Sequence, residues 1–253
     1  SFAQDITYYH GGAFEYYDHD NKIDVFMCNY FPTKYNELHK NTSDGNFSKV
    51  VSEVIPLEAN SSLGPTWADY DQDGFLDLFV PNGSGNKNSL FHNDGNGTFS
   101  KSNIIINQEG GKSVGSCWGD VDNDGDLDLF VANSNSSTNF FYKNLGDGTF
   151  EKITNSVINQ GASSHGCSFA DVDNDGDLDL IVNNVNMKAF VYKNNAQKNK
   201  ENHFLKIKLK GEGKNPFAVG SVVELFSKNE IIRQELIPSR GFQSSIDYTM
   251  TFG

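Results

Sequence analysis

The chain has 253 residues and a formal charge of −13, and 37% of its residues are hydrophobic, including 20 Phe and 10 Tyr. This apolar content supports packed cores and excludes a chain that is disordered throughout. No apolar run approaches the roughly 20 residues of a membrane-spanning helix, and no stripe of Lys and Arg with interleaved aromatics indicates a nucleic-acid partner.

Internal repetition is the strongest feature along the chain. A weak copy of one pattern covers residues 14–26, and clear copies begin at Trp67, Trp118 and Phe169, spaced by 51 residues. A second element rich in Asn and Gly follows three of the copies, at residues 41–47, 93–99 and 144–150. Two linked motifs with a period near 50 residues are typical of β-propeller blades rather than of helical solenoids.

The third repeat indicates how one blade is built. Strands are predicted at residues 115–120, 127–133, 139–144 and 149–154, with Gly, Asn and Asp turns between them. The second of these strands is apolar on both faces, as expected where neighbouring blades cover a strand. We therefore predict an all-β fold of about four propeller-type, four-stranded blades. The blades are expected near residues 10–50, 60–102, 111–154 and 162–195.

Each clear repeat contains a loop of the form Asp-x-Asp-x-Asp-Gly-x-x-Asp. Calcium takes six to eight oxygen ligands, which positions 1, 3, 5 and 9 can supply with the carbonyl of position 7, whereas magnesium demands near-ideal octahedral geometry. Asp, Asn and Gly also form ordinary metal-free turns. Three aligned sets of four carboxylates nevertheless favour calcium, and the nine-residue spacing excludes an EF-hand. The predicted metal ligands are Asp69, Asp71, Asp73, Phe75, Asp77, Asp120, Asp122, Asp124, Asp126, Asp128, Asp171, Asp173, Asp175, Asp177 and Asp179.

The first loop departs from the pattern. Tyr16 stands at position 1, Asn21 replaces the glycine of position 6, and Lys22 occupies position 7. Fewer carboxylates and an adjacent ammonium weaken calcium binding, so this site is predicted to be weak or empty. Its remaining candidate residues are Asp18, Asp20, Lys22 and Asp24.

The excess negative charge of the chain comes from four short loops. The four loops hold 17 of the 33 acidic residues, so the rest of the chain is slightly basic. Such a density of like charge is costly unless a cation neutralises it, which also favours bound calcium.

A different pattern follows the repeats. After the polar residues 194–201, residues 202–211 and 220–225 alternate apolar and charged side chains, as a half-exposed antiparallel sheet does. We therefore predict that repeats fill residues 1–197 and that residues 202–253 form a small antiparallel β domain.

These motifs resemble the FG-GAP and VCBS repeats of integrin-α-like propellers and of secreted proteins similar to cartilage acidic protein, over roughly residues 10–195. The resemblance implies that the loop Asp residues hold calcium between the first two strands of a blade. The C-terminal pattern is similar to the ASPIC/UnbV domain that follows such repeats, including residues 239–244. It implies no catalytic residue.

No arrangement of acid, base and nucleophile has a recognisable spacing, so we expect no enzyme. A binding or structural module of adhesion, matrix or surface-layer type is favoured, with a protein or glycan partner at the cell exterior. Two alternatives are a self-assembling subunit of an extracellular assembly or filament, and a carbohydrate-active enzyme, since fold does not fix function. Six glycosylation sequons suit a secreted glycoprotein, at Asn41, Asn46, Asn60, Asn82, Asn96 and Asn135.

Location and closure of the propeller remain expectations. No export signal precedes Ser1, so the chain is either cytosolic or seen after signal removal, and the loop chemistry favours the exterior. Closed propellers have typically four to eight blades. With four visible repeats, we expect further blades in a longer chain or a partner chain that covers the end blades, the alternative being a closed four-bladed ring.

Overall fold

The structure, a computed structural model, describes residues 9–31, 35–43, 45–51, 54–55, 60–154, 156–196, 203–226, 231–238, 241 and 245–253. Within these ranges the regular structure consists of strands and two short 3-10 turns, Ile105–Gln108 and Val157–Asn159. The prediction of an all-β fold is therefore confirmed. No helix in the described part is long and apolar enough to cross a membrane.

Four antiparallel sheets follow one another along the chain, and consecutive strands pair within each. Repeat 1 holds β1 (Tyr9–Glu15), β2 (Asp24–Asn29), β3 (Glu37–Ser43) and β4 (Asn46–Lys49). Repeat 2 holds β5 (Thr66–Ala68), β6 (Asp77–Val80), β7 (Ser89–Asn93) and β8 (Phe99–Ser100). Repeat 3 holds β9 (Ser113–Gly119), β10 (Asp128–Asn133), β11 (Phe140–Asn144) and β12 (Phe150–Ile153). Repeat 4 holds β13 (Ser164–Ala170), β14 (Asp179–Asn184) and β15 (Phe190–Tyr192).

The strands of repeat 3 lie within two residues of the predicted positions. All six residues of β10 are buried, as predicted for a strand covered on both faces. Repeat 4 departs from the four-stranded pattern, because its sheet has three strands in the described part of the chain. The predicted end of the repeats and the start of the next domain, residues 197–202, lie outside the described residues.

Apolar clusters join each blade to the next. Three clusters connect repeats 1 and 2, repeats 2 and 3, and repeats 3 and 4, and none of them joins repeat 4 to repeat 1. The described residues therefore form an open array and not a closed four-bladed ring. The same repeat position fills each junction. The side chains of Trp67 and Phe169 are 2% and 7% exposed, and that of Trp118 is partly exposed.

The two ends of the array expose the residues that fill the junctions elsewhere. Phe14, the repeat-1 equivalent of Trp67, is 56% exposed. At the other end Val172 is 51% exposed, whereas its equivalents Tyr17 and Tyr70 are 2% and 4% exposed. Each end therefore presents one half of an ordinary blade junction.

A buried asparagine fastens each blade to the one before it. The Asn144 amide donates to the carbonyl of Tyr70 in repeat 2, at 2.7 Å, and to that of Leu127 in its own loop, at 3.2 Å. Asn93 and Asn194 make the same pair of hydrogen bonds in repeats 2 and 4. Asn93 and Asn144 begin the second sequence element of their repeats, and Asn194 begins the polar residues 194–201, so this position has a structural role at the blade junction.

A second buried polar network lies at the opposite end of the strands. Hydroxyl groups of Ser62, Ser113 and Ser164 donate to amide oxygens of Asn82, Asn133 and Asn184, at 2.6, 2.9 and 2.8 Å. These pairs recur every 51 residues. Buried polar groups that are fully paired specify one arrangement of their neighbours, so both ends of each blade are fixed.

The C-terminal segment has its own sheets and its own apolar cluster. Strands β16 (Leu205–Lys208) and β19 (Thr249–Phe252) pair, as do β17 (Val222–Phe226) and β18 (Ile231–Glu235). Leu236, Met250 and Phe252 form the buried centre of this unit. The predicted antiparallel strand content of the C-terminal domain is therefore present, although residues 239–240 and 242–244 lie outside the described part.

Replacement of Asn144 by alanine should destabilise the chain by about 2–3 kcal/mol, because two buried carbonyls lose their donor. Chemical denaturation of the purified chain measures the change. As a control, Asn103→Ala removes an exposed amide and should cost less than about 0.5 kcal/mol. Equal stabilities of the two variants would contradict a fastening role for Asn144.

The exposed end blades should be covered in solution, because unprotected blade faces and strand edges promote association. We expect the 253-residue chain to form dimers or larger species, or to require further blades from its natural chain. Light scattering measures the mass, and Phe14→Ser should shift it toward the monomer. A monodisperse monomer of 28.0 kDa would contradict this expectation.

Candidate metal centres

The backbone of each loop bends as the sequence pattern predicts. Gly74, Gly125 and Gly176 have φ of 92°, 94° and 97°, which disfavours any other residue at position 6. Their amides donate to the position-1 carboxylates Asp69, Asp120 and Asp171, at 3.0, 3.0 and 2.8 Å. The turn at position 6 thereby holds the first carboxylate of the loop in place.

The position-9 aspartates are the most buried groups of the loops. Asp77, Asp128 and Asp179 are at most 1% exposed, although each begins a strand. One oxygen of each accepts the backbone N–H of the fastening asparagine, at 2.8 Å in all three repeats. The other accepts the N–H of the position-2 residue, at 3.1–3.3 Å. The last carboxylate therefore ties its loop to the third strand of the blade.

The remaining carboxylates of each loop converge. In four groups, all ligand atoms lie within 4.8 Å of one another, and each group belongs to one loop. Asp69 is 5% exposed, and its Oδ1 has no hydrogen-bond partner in the described structure. A buried oxygen without a partner is costly unless a cation binds it. The groups are Asp18, Asp20 and Asp24; Asp69, Asp71 and Asp73; Asp120, Asp122 and Asp124; and Asp171, Asp173 and Asp179.

Burial and mutual repulsion disfavour the ionised form of these acids. Burial raises the pKa of Asp69 and of Asp120 to about 7, and nearby loop carboxylates add to the increase. Burial likewise raises the pKa of Asp77 to about 9 and that of Asp128 to about 8. A divalent cation among these oxygens would reverse the shifts, since opposite charge favours the carboxylate form.

Hard oxygen donors, tight glycine turns and an orphaned buried oxygen all fit calcium. Positions 1, 3, 5 and 9 of loops 2 to 4 would hold it, and the ion would neutralise the loop and cross-link its ends. The position-7 side chains are engaged elsewhere, which is compatible with their predicted role through the backbone carbonyl. Asp126 accepts from Gln72, Asp177 accepts from Asn123, and Phe75 stacks on His19 with ring centroids 4.9 Å apart.

Loop 1 is already occupied by side-chain cations. Lys40 contacts Asp18 and lies 3.3 Å from Asp20, while Lys22 lies 3.6 Å from Asp20. Burial raises the pKa of Asp24 to about 6, and its Oδ2 has no hydrogen-bond partner in the described structure. These contacts agree with the prediction of a weak site.

A cation from the third strand reaches the loop in every repeat, which the sequence analysis did not find. Lys143 contacts Asp122 and lies 3.4 Å from Asp124, and Lys193 makes the same contacts with Asp173 and Asp175. His92 takes this place in repeat 2, with its Nδ1 3.2 Å from an oxygen of Asp71. The sequence does contain a signal for this contact, namely position. His92, Lys143 and Lys193 each directly precede the fastening asparagine of their repeat.

The C-terminal unit lies over the loops. Lys206 pairs with Asp171, and Arg233 donates to the carbonyl of Gly74 and contacts His19 at 2.7 Å. Burial acts to raise the pKa of Asp171, but the hydrogen bonds from Lys206 and from the Gly176 amide, together with the charge of Lys206, outweigh it and lower the pKa. Two basic residues of this unit thus contact the loops from outside the repeats, and Lys206 neutralises a loop carboxylate.

A cavity of about 190 Å³ lies between this unit and the blades. Cys117, Phe169, Glu235 and Met250 are among the residues that line it. Small-molecule sites usually measure about 300–1,000 Å³, so this cavity is below the size of an ordinary ligand pocket.

Comparison with known proteins identifies both parts of the chain. The family model described as FG-GAP-like repeat matches residues 17–80, 81–131 and 120–182, and that described as ASPIC and UnbV matches residues 211–253. The search of curated proteins found no match.

Two solved structures are similar at the level of the chain trace. One concerns recognition of non-reducing terminal N-acetylglucosamine by an Agrocybe aegerita lectin, with 17% identity and a TM-score of 0.47. The other is the Photorhabdus luminescens Tc holotoxin pore, with 18% identity and a TM-score of 0.40. The matches cover 81% and 69% of this chain but 58% and 8% of those chains.

The repeat matches cover more than half of the chain and confirm the resemblance inferred from its motifs. The protein therefore belongs to the family of FG-GAP-like repeat proteins, with an ASPIC and UnbV segment after the repeats.

Proposed function

We propose that the chain is a calcium-binding, non-enzymatic module of an extracellular protein, with a binding or structural role. The observation that carries this proposal is the convergence of carboxylates in loops 2, 3 and 4 at equivalent places in successive blades. Three ions would neutralise the loops and stiffen one face of the array.

Several features support a role without catalysis. Burial raises the pKa of the Cys28 and Cys117 thiols, so these cysteines stay protonated and are poor nucleophiles. Calcium held by loop carboxylates stabilises structure, and the acids that bind it are not free to act as general acids or bases. The carbohydrate-active enzyme stays the less favoured alternative.

An exterior location suits the three proposed calcium sites, since extracellular calcium keeps occupied even modules that bind it at about 10⁻⁴–10⁻³ M. Asn46, Asn96 and Asn135 are exposed and accessible to glycosylation. Asn82 is wrong as a glycosylation candidate, because it is 1% exposed and its amide donates to the Lys87 carbonyl. The Asn82 side chain instead accepts a buried hydrogen bond from the Ser62 hydroxyl.

The partner is proposed to be a protein or glycan at the cell exterior. Exposed aromatic side chains on repeat 1 suit either class, since Phe14, Tyr30, Phe31 and Tyr35 are 40–56% exposed. Aromatic rings supply large contact areas at low entropic cost. Self-assembly through the end blades, as in an extracellular filament, is the second candidate function, favoured by the complementary exposed ends.

The full chain should bind about three calcium ions, with magnesium a poor substitute because it prefers octahedral geometry with retained water. Elemental analysis after dialysis and calorimetry measure the stoichiometry. Asp128→Asn should remove one ion, since it removes a charge and keeps an acceptor for Asn144. The control, Asp147→Asn, alters an exposed turn residue outside the loops and should leave the stoichiometry unchanged. Less than one calcium per chain would refute the proposal.

We propose that the C-terminal unit is separable from the calcium loops, because the predicted ligands of loops 2 to 4 all lie within residues 69–179. A chain that ends at residue 196 should therefore retain calcium binding at loops 2 and 3, with loop 4 altered by the loss of Lys206. Calorimetry on the shortened chain measures this. Complete loss of calcium binding by a folded shortened chain would show that the boundary is wrong.

A further inference from the structure

Repeat 2 differs from the other repeats in the side chain that reaches its loop from the third strand. Lys40, Lys143 and Lys193 each place an ammonium group on loop carboxylates, whereas repeat 2 places the imidazole of His92 there. An ammonium group has no lone pair to give a metal, and a neutral imidazole has one. The substitution therefore changes the ligand chemistry of this loop and not only its charge.

The imidazole lies at the distance expected of a ligand. Nδ1 of His92 is 3.2 Å from an oxygen of Asp71 and 3.2 Å from an oxygen of Asp77. Two atoms bound to one ion with bonds of about 2.0–2.2 Å are roughly 3 Å apart. The Nδ1 atom is buried and forms no hydrogen bond with either carboxylate in the described structure. The ligand atoms of the three groups thus lie within 4.8 Å of one another, and the imidazole Nδ1 makes no hydrogen bond to either carboxylate.

A separate observation also points to a ligand in this loop. Asp69 is 5% exposed, its Oδ1 has no hydrogen-bond partner among the described residues, and it belongs to the same group as Asp71. The Oδ1 of Asp71 is also buried without such a partner. Buried oxygens of this kind are costly in an empty site, and a bound cation would satisfy both.

We propose that Asp71, Asp77 and His92, with Asp69 beside them, form a mixed nitrogen and oxygen site for a first-row transition ion such as Zn²⁺. Imidazole nitrogen suits zinc, copper, iron and nickel, whereas sites built only from carboxylates and carbonyls suit calcium, magnesium and manganese. Repeats 3 and 4 lack a nitrogen ligand at this place and keep oxygen-only sites. Loop 2 takes calcium when calcium is the only ion supplied and prefers Zn²⁺ when both are present, so one array presents two classes of metal site.

This inference rests on the proposed function only in that loop 2 binds a cation, and it does not require calcium in repeats 3 and 4. The metal-free full chain is titrated with Zn²⁺ by calorimetry and with Co²⁺ by visible absorption, while the imidazole nitrogen signals are followed by NMR. We expect one tight Zn²⁺ site, a shifted His92 nitrogen signal and a Co²⁺ spectrum typical of mixed nitrogen and oxygen ligands.

The variant His92→Lys makes repeat 2 like repeat 3 and should weaken Zn²⁺ binding at least about tenfold, the loss seen even for supporting residues of metal sites. The matched control His10→Lys makes the same change at an exposed residue of β1 and should bind as the parent does. Zn²⁺ binding by H92K as tight as that of the parent, or an unmoved His92 signal, would overturn the proposal.

If H92K does not fold, Lys143→His decides the matter. Gain of a second Zn²⁺ site in K143H supports the proposal, and an unchanged stoichiometry overturns it. Calcium is measured on the same samples to separate the two proposals. Zn²⁺ binding without any calcium would remove the calcium function alone, whereas calcium in repeats 3 and 4 without Zn²⁺ at His92 would remove this inference alone.

Discussion

The buried carboxylate that closes each loop is the constraint on which the rest of the structure depends. Asp77, Asp128 and Asp179 are buried acidic groups at the start of the second strand of their blades, where an isolated charge would be very costly. Each is tolerated because it accepts two backbone N–H groups, one from its own loop and one from the third strand. The same contact places the fastening asparagine against the preceding blade, so loop, blade and junction are set together.

Basic side chains from the blades and from the C-terminal unit contact the loop carboxylates, so neutralisation of the loops also connects these two parts of the chain. Third-strand cations reach the loops from within each blade, and Lys206 and Arg233 reach them from the C-terminal unit. A divalent ion that entered a loop would compete with these side chains for the same oxygens. The affinity of the proposed calcium sites would therefore depend on the lysine contacts as well as on the number of carboxylates.

The sequence was sufficient to predict the features that depend on local pattern. These features follow from residues that are close together in the chain. They are the repeat period, the strand positions in repeat 3 and the turns at Gly74, Gly125 and Gly176. The sequence was insufficient for contacts between blades. Asn144 meets Tyr70 across 74 residues, and Arg233 meets Gly74 across 159 residues, so no local pattern encodes these contacts. The role of His92 was missed because a lone histidine has no spacing motif, although alignment of the repeats places it with three lysines.

The exposed ends of the array follow from the same repeat logic. Each internal junction places a large side chain of one blade in the same apolar cluster as position 2 of its neighbour's loop, and Trp67 packs against Tyr17 with ring centroids 6.2 Å apart. Phe14 and Val172 are the unmatched members of that pairing, one at each end. Because the two halves are chemically complementary and lie at opposite ends, a contact between copies would be head-to-tail. Such a contact generates rings when its rotation closes and filaments when it does not. A further blade packed on Phe14 would use the same half-junction, so the geometry that builds the array inside the chain also governs how the array can be extended.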